Sequence, residues 1–293
     1  MKKMLIIINP YSGKKQGQSI LNNIINILEY IPHRIIVSDY KNHPYDIANN
    51  IDLDLFQGIC VIGGDGTMHE VINGMLKRQD KKQIPLGLIP GGTGNSFMHD
   101  MECLNPIDAA KKIIQLKNRK IDLIKITTNK EVVFSFNVAG WGVPPDINIL
   151  AEKMRWLGMQ RYNIASLIEI MKLKKRNCQL IINEKTTLDD YSFVLCCNTI
   201  HTGKGMKIAP KAKLDDGLMD VIAVKKTNRL QLLNLFPKIF SGNHINHPIV
   251  KYHQVKSISI QPDINSDLII DGEIIGETPC EMEIVSDAIE IFN

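Results

Sequence analysis

Four short runs dense in isoleucine, valine and leucine, MLIII from Met4, RIIVS from Arg34, GICVI from Gly58 and PLGLIP from Pro85, alternate with stretches of helical periodicity. The helical patterns cover residues 20–31, 46–56 and 70–78. Strands separated by helices run parallel, because the connection between parallel strands has to cross over the sheet. A parallel strand that is apolar at nearly every position is buried on both faces. An open α/β sheet of Rossmann-like type is therefore expected, and ligands in such sheets sit beyond the carboxyl ends of the strands.

After the helix-like PIDAAKKIIQL the texture changes. KIDLIKI, EVVFSFNV, CQLIINE, YSFVLCCN, GLMDVIAV, VKSISIQ, DLIID and EMEIV are strand-like, and only two helical patterns interrupt them, over residues 149–175 and 230–240. This predicts a mainly β, sandwich-like second domain. The expected division is 1–120 and 121–293, with the last strand able to return to the first domain. A chain of 293 residues is long enough for both.

Composition narrows the classes. A hydrophobic fraction of 44% and a charged fraction of 23% are those of a globular protein, and a net charge of +4 does not call for a nucleic-acid partner. Cys60, Cys103, Cys178, Cys196, Cys197 and Cys280 show no Cys-x-x-Cys spacing and have mostly apolar neighbours, which predicts buried, reduced thiols and a cytoplasmic setting. The opening MKKMLIIINP is cut short by Asn9-Pro10, below the about 7 to 15 apolar residues of a signal peptide. No run approaches the about 18 apolar residues of a membrane-spanning helix, so no transmembrane segment is expected. HINH at His244–His247 lacks a nearby acidic companion and is not read as a metal site.

Within VIGGDGTMHEVING, Gly63, Gly64 and Gly66 follow the third expected strand, and Thr67 precedes a helix. Such a turn points main-chain N–H groups and a helix N-terminus at one spot, which suits phosphate. Glycine lets a bulky anion reach the backbone, and Asp65 can hold Mg²⁺ or its water shell there. A bare strand-to-helix turn is the alternative for any one such loop. Two more loops share the edge: NPYSGKK brings Asn9, Pro10, Ser12 and Gly13 after the first strand, and PGGTGNSF brings Gly92, Thr93 and Asn95 after the fourth. Three loops of this composition on one edge suit the ribose and phosphates of a nucleotide. Neither a P-loop, a dinucleotide fingerprint nor a protein-kinase motif is present.

The second domain carries two acidic stretches. In KLDDGLMD, Asp215, Asp220 and the Leu218 carbonyl form a set of oxygens that a hard cation favours, although these residues by themselves favour an Asp-Gly hairpin turn with solvated acids. In DLIIDGEII, Asp271 and Glu273 stand two apart around a glycine, so one strand face could present both, and here too a hairpin turn is the plain alternative.

Taken in order, NPYSG, GGDGT with Glu70, PGGTGN, KLDDGLMD and DGE resemble the diacylglycerol kinase catalytic domain family, which includes bacterial lipid kinases, sphingosine kinases and ceramide kinases. The resemblance covers nearly the whole chain. It implies a parallel sheet of the NAD kinase and diacylglycerol kinase type. It further implies ATP held by Asn9 to Gly13, Gly64 to Glu70 and Thr93, and a structural Mg²⁺ at Asp215, Leu218 and Asp220. SDYKNHPYDI matches a stretch near the nucleotide in sphingosine kinases, which puts Ser38 at a ligand position unless it merely ends a strand. Two residues depart from the pattern: His69 stands where asparagine is usual, and Ser96 where many bacterial members have aspartate.

The expected activity is transfer of the γ-phosphate of ATP to a hydroxyl of a membrane lipid, with ATP and Mg²⁺ as cofactors. Asp65, Asp271 and Glu273 are the catalytic candidates, because phosphorylating an alcohol calls for a carboxylate that takes its proton. Which acid of the pair does so stays open. A lipid at a membrane surface is the expected partner, met by peripheral association. The segment AEKMRWLGMQRYNIASLIEIMKLKKR supplies Lys153, Arg155, Arg161, Trp156, Tyr162 and a basic end for that purpose, or else is an amphipathic helix covering the β domain. A homodimer is allowed and not specified. An NAD kinase-like phosphotransferase and an inactive nucleotide- or lipid-binding module are the competing readings, and retention of Asp65, Asp271 and Glu273 together speaks against the latter.

Overall fold

The structure, a computed structural model, describes residues 2–13, 15–172, 174, 176–203 and 205–293, for Met159 the backbone alone. Contacts along the chain divide it into two units, Met1–Leu123 with Gly203–Gly205 and Ser286–Asn293, and Ile124–Thr202 with Met206–Val285.

The first unit is built from β1 (Lys3–Ile8), α1 (Gly17–Leu28), β2 (His33–Val37), α2 (His43–Asn50), β3 (Phe56–Gly63), α3 (Asp65–Leu76), β4 (Leu86–Pro90), α4 (Ser96–Asp100) and α5 (Pro106–Ile113). The strands lie in the order β2-β1-β3-β4, all parallel, and Ile291 near the chain end joins beside Leu86. Every residue of β1 after Lys3 and all of β4 are buried, which requires cover on both faces. Helices α1 and α5 pack together, as do α2 and α3. Helix α1 buries Ile20, Leu21, Ile24 and Leu28, one stripe of its surface. Helix α5 starts where the Asn105 side chain accepts the Ile107 N–H and Pro106 opens the first turn. The Rossmann-like α/β expectation is met.

The second unit takes in the end of β5 (Asn118–Thr128), then β6 (Val132–Ser135), β7 (Val138–Gly142), α6 (Val143–Lys153), α7 (Arg161–Lys172), β8 (Asn177–Ile182), β9 (Lys185–Cys197), β10 (His201–Thr202), β11 (Met206–Lys207), β12 (Met219–Lys225), α8 (Arg229–Leu235), α9 (Lys238–Ser241), β13 (Val250–Val255), β14 (Ser257–Pro262), β15 (Asp267–Ile270), β16 (Glu273–Glu277) and the start of β17 (Cys280–Phe292). Strand β9 belongs to both layers of a sandwich. Its first half pairs with β8, which continues to β14 and β17, and its second half pairs with β7 and β12. Trp141, Leu180, Val194, Cys196, Met219, Val221, Ile258, Leu268 and Met282 fill the core between the layers. The sandwich expectation is met too.

EVVFSFNV, expected as one strand, is two, β6 and β7, broken at Phe136-Asn137. The helical pattern of residues 149–175 is likewise split into α6 and α7 by a 3₁₀ turn in which Gly158 takes a φ of 57°. The six cysteines are buried free thiols, and burial pushes Cys60 up to about 12. Among the described residues no helix is long and apolar enough to cross a membrane.

Candidate active site

The strand order of the first unit reverses direction at β1. From β1 the chain moves to β2 on one side, while β3 and β4 lie on the other, so the connections leaving β1 and β3 diverge and open a crevice at their carboxyl ends. Asn9 leaves β1 with its N–H donating to the Ile62 carbonyl (3.0 Å), and its side-chain amide spans to the next loop by donating to Thr67 Oγ1 (3.0 Å). The third loop closes on the second through Gly91 N–H to the Gly63 carbonyl (2.7 Å).

Glycine makes this approach of three main chains feasible. A Cβ on Gly92 would stand 2.7 Å from Gly64 Cα, and one on Gly13, whose φ is +60°, would stand 2.4 Å from the Gly91 carbonyl oxygen. Asn95, in the left-handed region at φ 49°, folds its side chain back to accept the Gly92 N–H (2.9 Å). Thr93 is exposed at the loop tip, Ser12 and Thr67 are buried, and Pro10, Gly64, Gly66 and Glu70 are half-buried. Ser38 is buried just past β2 and continues its pairing by donating its N–H to the Ile8 carbonyl (2.8 Å), which puts it on the same edge. Lys14 of NPYSGKK lies outside the described residues.

Asp65 sits in the first turn of α3, so the GGDGT motif itself begins the helix, earlier than its periodicity suggests. Its carboxylate accepts the N–H groups of Ser96 (2.8 Å) and Phe97 (3.3 Å), the first two residues of α4. Asp65 thus ties the second loop to the third. The departures from the family pattern are both buried: His69 Nε2 lies 3.4 Å from Asn73 Nδ2, and Ser96 meets Asp65 through its backbone.

In the second unit Asp271 and Glu273 have different surroundings. Asp271, 7% exposed, accepts hydrogen bonds from Ser135 Oγ (2.7 Å), Phe136 N (3.2 Å), Asn137 N (2.9 Å) and Val138 N (3.2 Å). Three of these donors meet Oδ1 and one, the Phe136 N–H, meets Oδ2, so the buried charge is held by a shell of donors from one short segment. The break between β6 and β7 is the backbone wrapping around this side chain. Asp271 and Gly272, at φ 50° and 94°, turn the chain into β16, where Glu273 is exposed. Asn148 of α6 holds the turn by donating to the Gly272 carbonyl (2.9 Å). None of these donors announces itself in the sequence.

Of the KLDDGLMD oxygens, Asp220 is fully buried, Leu218 half-buried and Asp215 exposed. Asp220 Oδ1 accepts the Tyr252 hydroxyl, while Oδ2 is buried without a hydrogen-bond partner among the described residues. Burial raises its carboxyl to about 6. An orphaned buried carboxylate oxygen fits a cation ligand, although no cluster of three or more His, Cys, Asp or Glu forms among the described residues. Asp216 instead accepts the Leu218 N–H (3.1 Å), a turn contact.

The basic end of the helical segment is largely spent on acids. Lys172 pairs with Glu169 (2.6 Å), Lys174 with Asp146 (2.8 Å), Arg176 also with Asp146, and Arg155 and Arg161 with Glu152. Lys175 lies outside the described residues. The same helices expose apolar groups: Trp156 is 82% exposed, and Leu167, Met171 and Leu230 are more than half exposed on the packed pair α7 and α8.

Residues 3–126 match the family described as the diacylglycerol kinase catalytic domain, and residues 137–293 the YegS C-terminal NAD kinase beta sandwich-like domain. A diacylglycerol kinase of Mycobacterium tuberculosis is 32% identical over 99% of this chain and 94% of its own. Sphingosine kinase 1 of Arabidopsis thaliana is 27% identical over 91% of this chain, which spans only 65% of that protein's length. Among solved structures, a diacylglycerol kinase of Bacillus anthracis superposes with a TM-score of 0.81 at 23% identity over 99% of this chain and 96% of its own. An NAD kinase of Archaeoglobus fulgidus in complex with ATP gives 0.52 at 12% identity, covering 99% and 93%, a likeness of fold alone. With two family matches in tandem and a full-length relative at 32% identity, the chain belongs to the diacylglycerol kinase catalytic domain family.

Proposed function

We propose that this protein transfers the γ-phosphate of ATP to a hydroxyl of a membrane lipid, diacylglycerol or a sphingoid base. The observation that carries the reading is the meeting of three loops at the β1/β3 reversal, where Gly13, Gly64 and Gly92 bring main chains together. There the N-terminus of α3 and the loop N–H groups suit a triphosphate. In this reading Asn9, Pro10, Ser12, Gly13, Ser38, Gly63, Gly64, Gly66, Thr67, Glu70, Gly92, Thr93 and Asn95 line the nucleotide, and Asp65 positions the loops around it.

Glu273 takes the proton of the lipid hydroxyl as its oxygen attacks the γ-phosphorus, and ADP leaves. Asp271, buried and held by four donors, positions the turn that carries the exposed Glu273. Asp215, the Leu218 carbonyl and Asp220 would hold Mg²⁺, whose charge there would offset the buried Asp220 carboxylate and brace the loop. The lipid is met at a membrane surface through the exposed apolar face of α7 and α8.

The test is a radiolabelled ATP assay against mixed micelles containing diacylglycerol, sphingosine or, as a control for the NAD kinase-like alternative, free NAD. Glu273→Gln should lower kcat by about 10²- to 10⁴-fold with nucleotide binding and melting temperature retained. Label transferred to NAD alone, or an unaltered Glu273→Gln rate, ends this reading.

A further inference from the structure

Asn137 sits at the centre of the backbone that wraps Asp271, and its own peptide is saturated. Its N–H donates to Asp271 Oδ1 (2.9 Å) and its carbonyl accepts the Asn198 N–H (2.8 Å). The side chain is another matter. It is 3% exposed, and neither Oδ1 nor Nδ2 has a hydrogen-bond partner among the described residues. Asn73, a comparably buried amide, donates to the His69 carbonyl.

Burying both ends of an amide unpartnered is costly, and leucine would fill the same space without that cost. Position explains what the amide could do. Asn137 adjoins the Asp271-Gly272 turn from which Glu273 emerges, and Gly272, at φ 94° and exposed, is the conformationally free residue beside it.

An amide offers an acceptor and donors side by side, the complement of an O–H group. It is also neutral, so it cannot offset the desolvation of an ammonium, and the charge of the adjacent Asp271 is already met by four donors, three on Oδ1 and one on Oδ2. The group received there is therefore an uncharged alcohol.

We propose that the Asn137 side chain binds a hydroxyl of the acceptor lipid, orients it for Glu273, and so favours a neutral glycerolipid alcohol over an ammonium-bearing sphingoid base. This inference rests on the lipid-kinase reading above. Asn137 is its specificity-determining residue.

Dioctanoylglycerol and sphinganine in mixed micelles are the probes, with calorimetric binding measured alongside turnover. Asn137→Leu should weaken dioctanoylglycerol binding and lower kcat/KM for it by about 10- to 100-fold, with ATP affinity unchanged and melting temperature equal or higher. Asn137→Asp, which keeps the shape and adds a charge, should swing the preference toward sphinganine. The proposal is overturned by dioctanoylglycerol binding within about threefold of wild type in Asn137→Leu, which would mean that the amide holds only water. It is equally overturned if ATP and lipid binding fall together with the melting temperature, the mark of a purely structural residue, or if the wild type binds neither probe. Asn137-dependent binding without phosphate transfer would sink the kinase reading and leave this one standing, whereas transfer indifferent to Asn137 would do the reverse.

Discussion

The carboxylate of Asp65 accepts the backbone N–H of Ser96 at 2.8 Å, joining two loops that lie 31 positions apart in the chain. Helix α4 has five residues and no cap from its own Asn95 side chain, so Asp65 supplies what its first turn lacks. Asp65→Ala should cost about 1 to 3 kcal/mol of stability, the range for losing hydrogen bonds to a charged group. ATP affinity should fall with it, because the Gly91–Asn95 loop is no longer held. Asp65→Asn keeps one acceptor oxygen and should lie between the two. Thermal melts paired with calorimetric ATP titration check this, and an Asp65→Ala protein of unchanged stability and affinity would remove Asp65 from the site.

The two acids of the DGE motif should separate by readout. Glu273 is exposed and its amide variant should melt like wild type. Asp271→Asn places an NH₂ group among four donors and should destabilise the protein by about 2 to 4 kcal/mol, a buried donor having replaced an acceptor. Chemical denaturation of both variants decides it. Equal stability would mean that Asp271 is not the hub its contacts describe.

Much of the fold was legible because the physics that fixes it is local. The β-branched runs at Met4 and Gly58 announce buried parallel strands, and Gly63-Gly64 and Gly91-Gly92 announce where backbones approach; the run at Arg34 forms a parallel strand too, but at the sheet edge, where Ile35 and Val37 are exposed. What was illegible is set by partners distant in sequence. Ser135 and Asp271 are 136 positions apart, so nothing in EVVFSFNV signals the break that Asp271 imposes. Tyr252 reaches Asp220 only because β12 and β13 pair with Asp220 opposite Gln254. The basic end KLKKR reads as a membrane surface until Asp146, 30 positions from Arg176, is placed beside it.

That pairing changes what membrane binding should depend on. With Lys172, Lys174 and Arg176 engaged by Glu169 and Asp146, the proposed membrane contact would rest on the exposed apolar side chains, Leu167 and Met171 among them. Vesicle sedimentation should therefore survive about 1 M salt, where the screening length is about 3 Å. Leu167→Glu with Met171→Glu should lower it by about tenfold or more, since two exposed apolar groups are lost and two charges meet the bilayer. Binding that salt abolishes and the double variant retains would return the role to the basic residues.

Arg78 offers a test of the first unit that is independent of catalysis. Its buried guanidinium donates to the carbonyls of Ala48 (2.9 Å), Asn49 (2.9 Å) and Ile51 (2.8 Å) at the end of α2, and to both oxygens of Asp80. Arg78→Met should cost about 2 to 4 kcal/mol, because those carbonyls lose a charged donor. Hydrogen bonds from Arg78 hold the Asp80 carboxyl down at about 2, below the ordinary value near 4. A carboxyl whose folded value is depressed favours folding wherever the unfolded chain would bind the proton more readily. Its contribution is complete above about pH 4 and is lost as pH falls toward 2. Stability measured against pH should therefore fall less steeply in Asp80→Asn than in wild type across that interval, and run parallel to it above. Parallel curves throughout would show that the Arg78–Asp80 contact contributes nothing in solution.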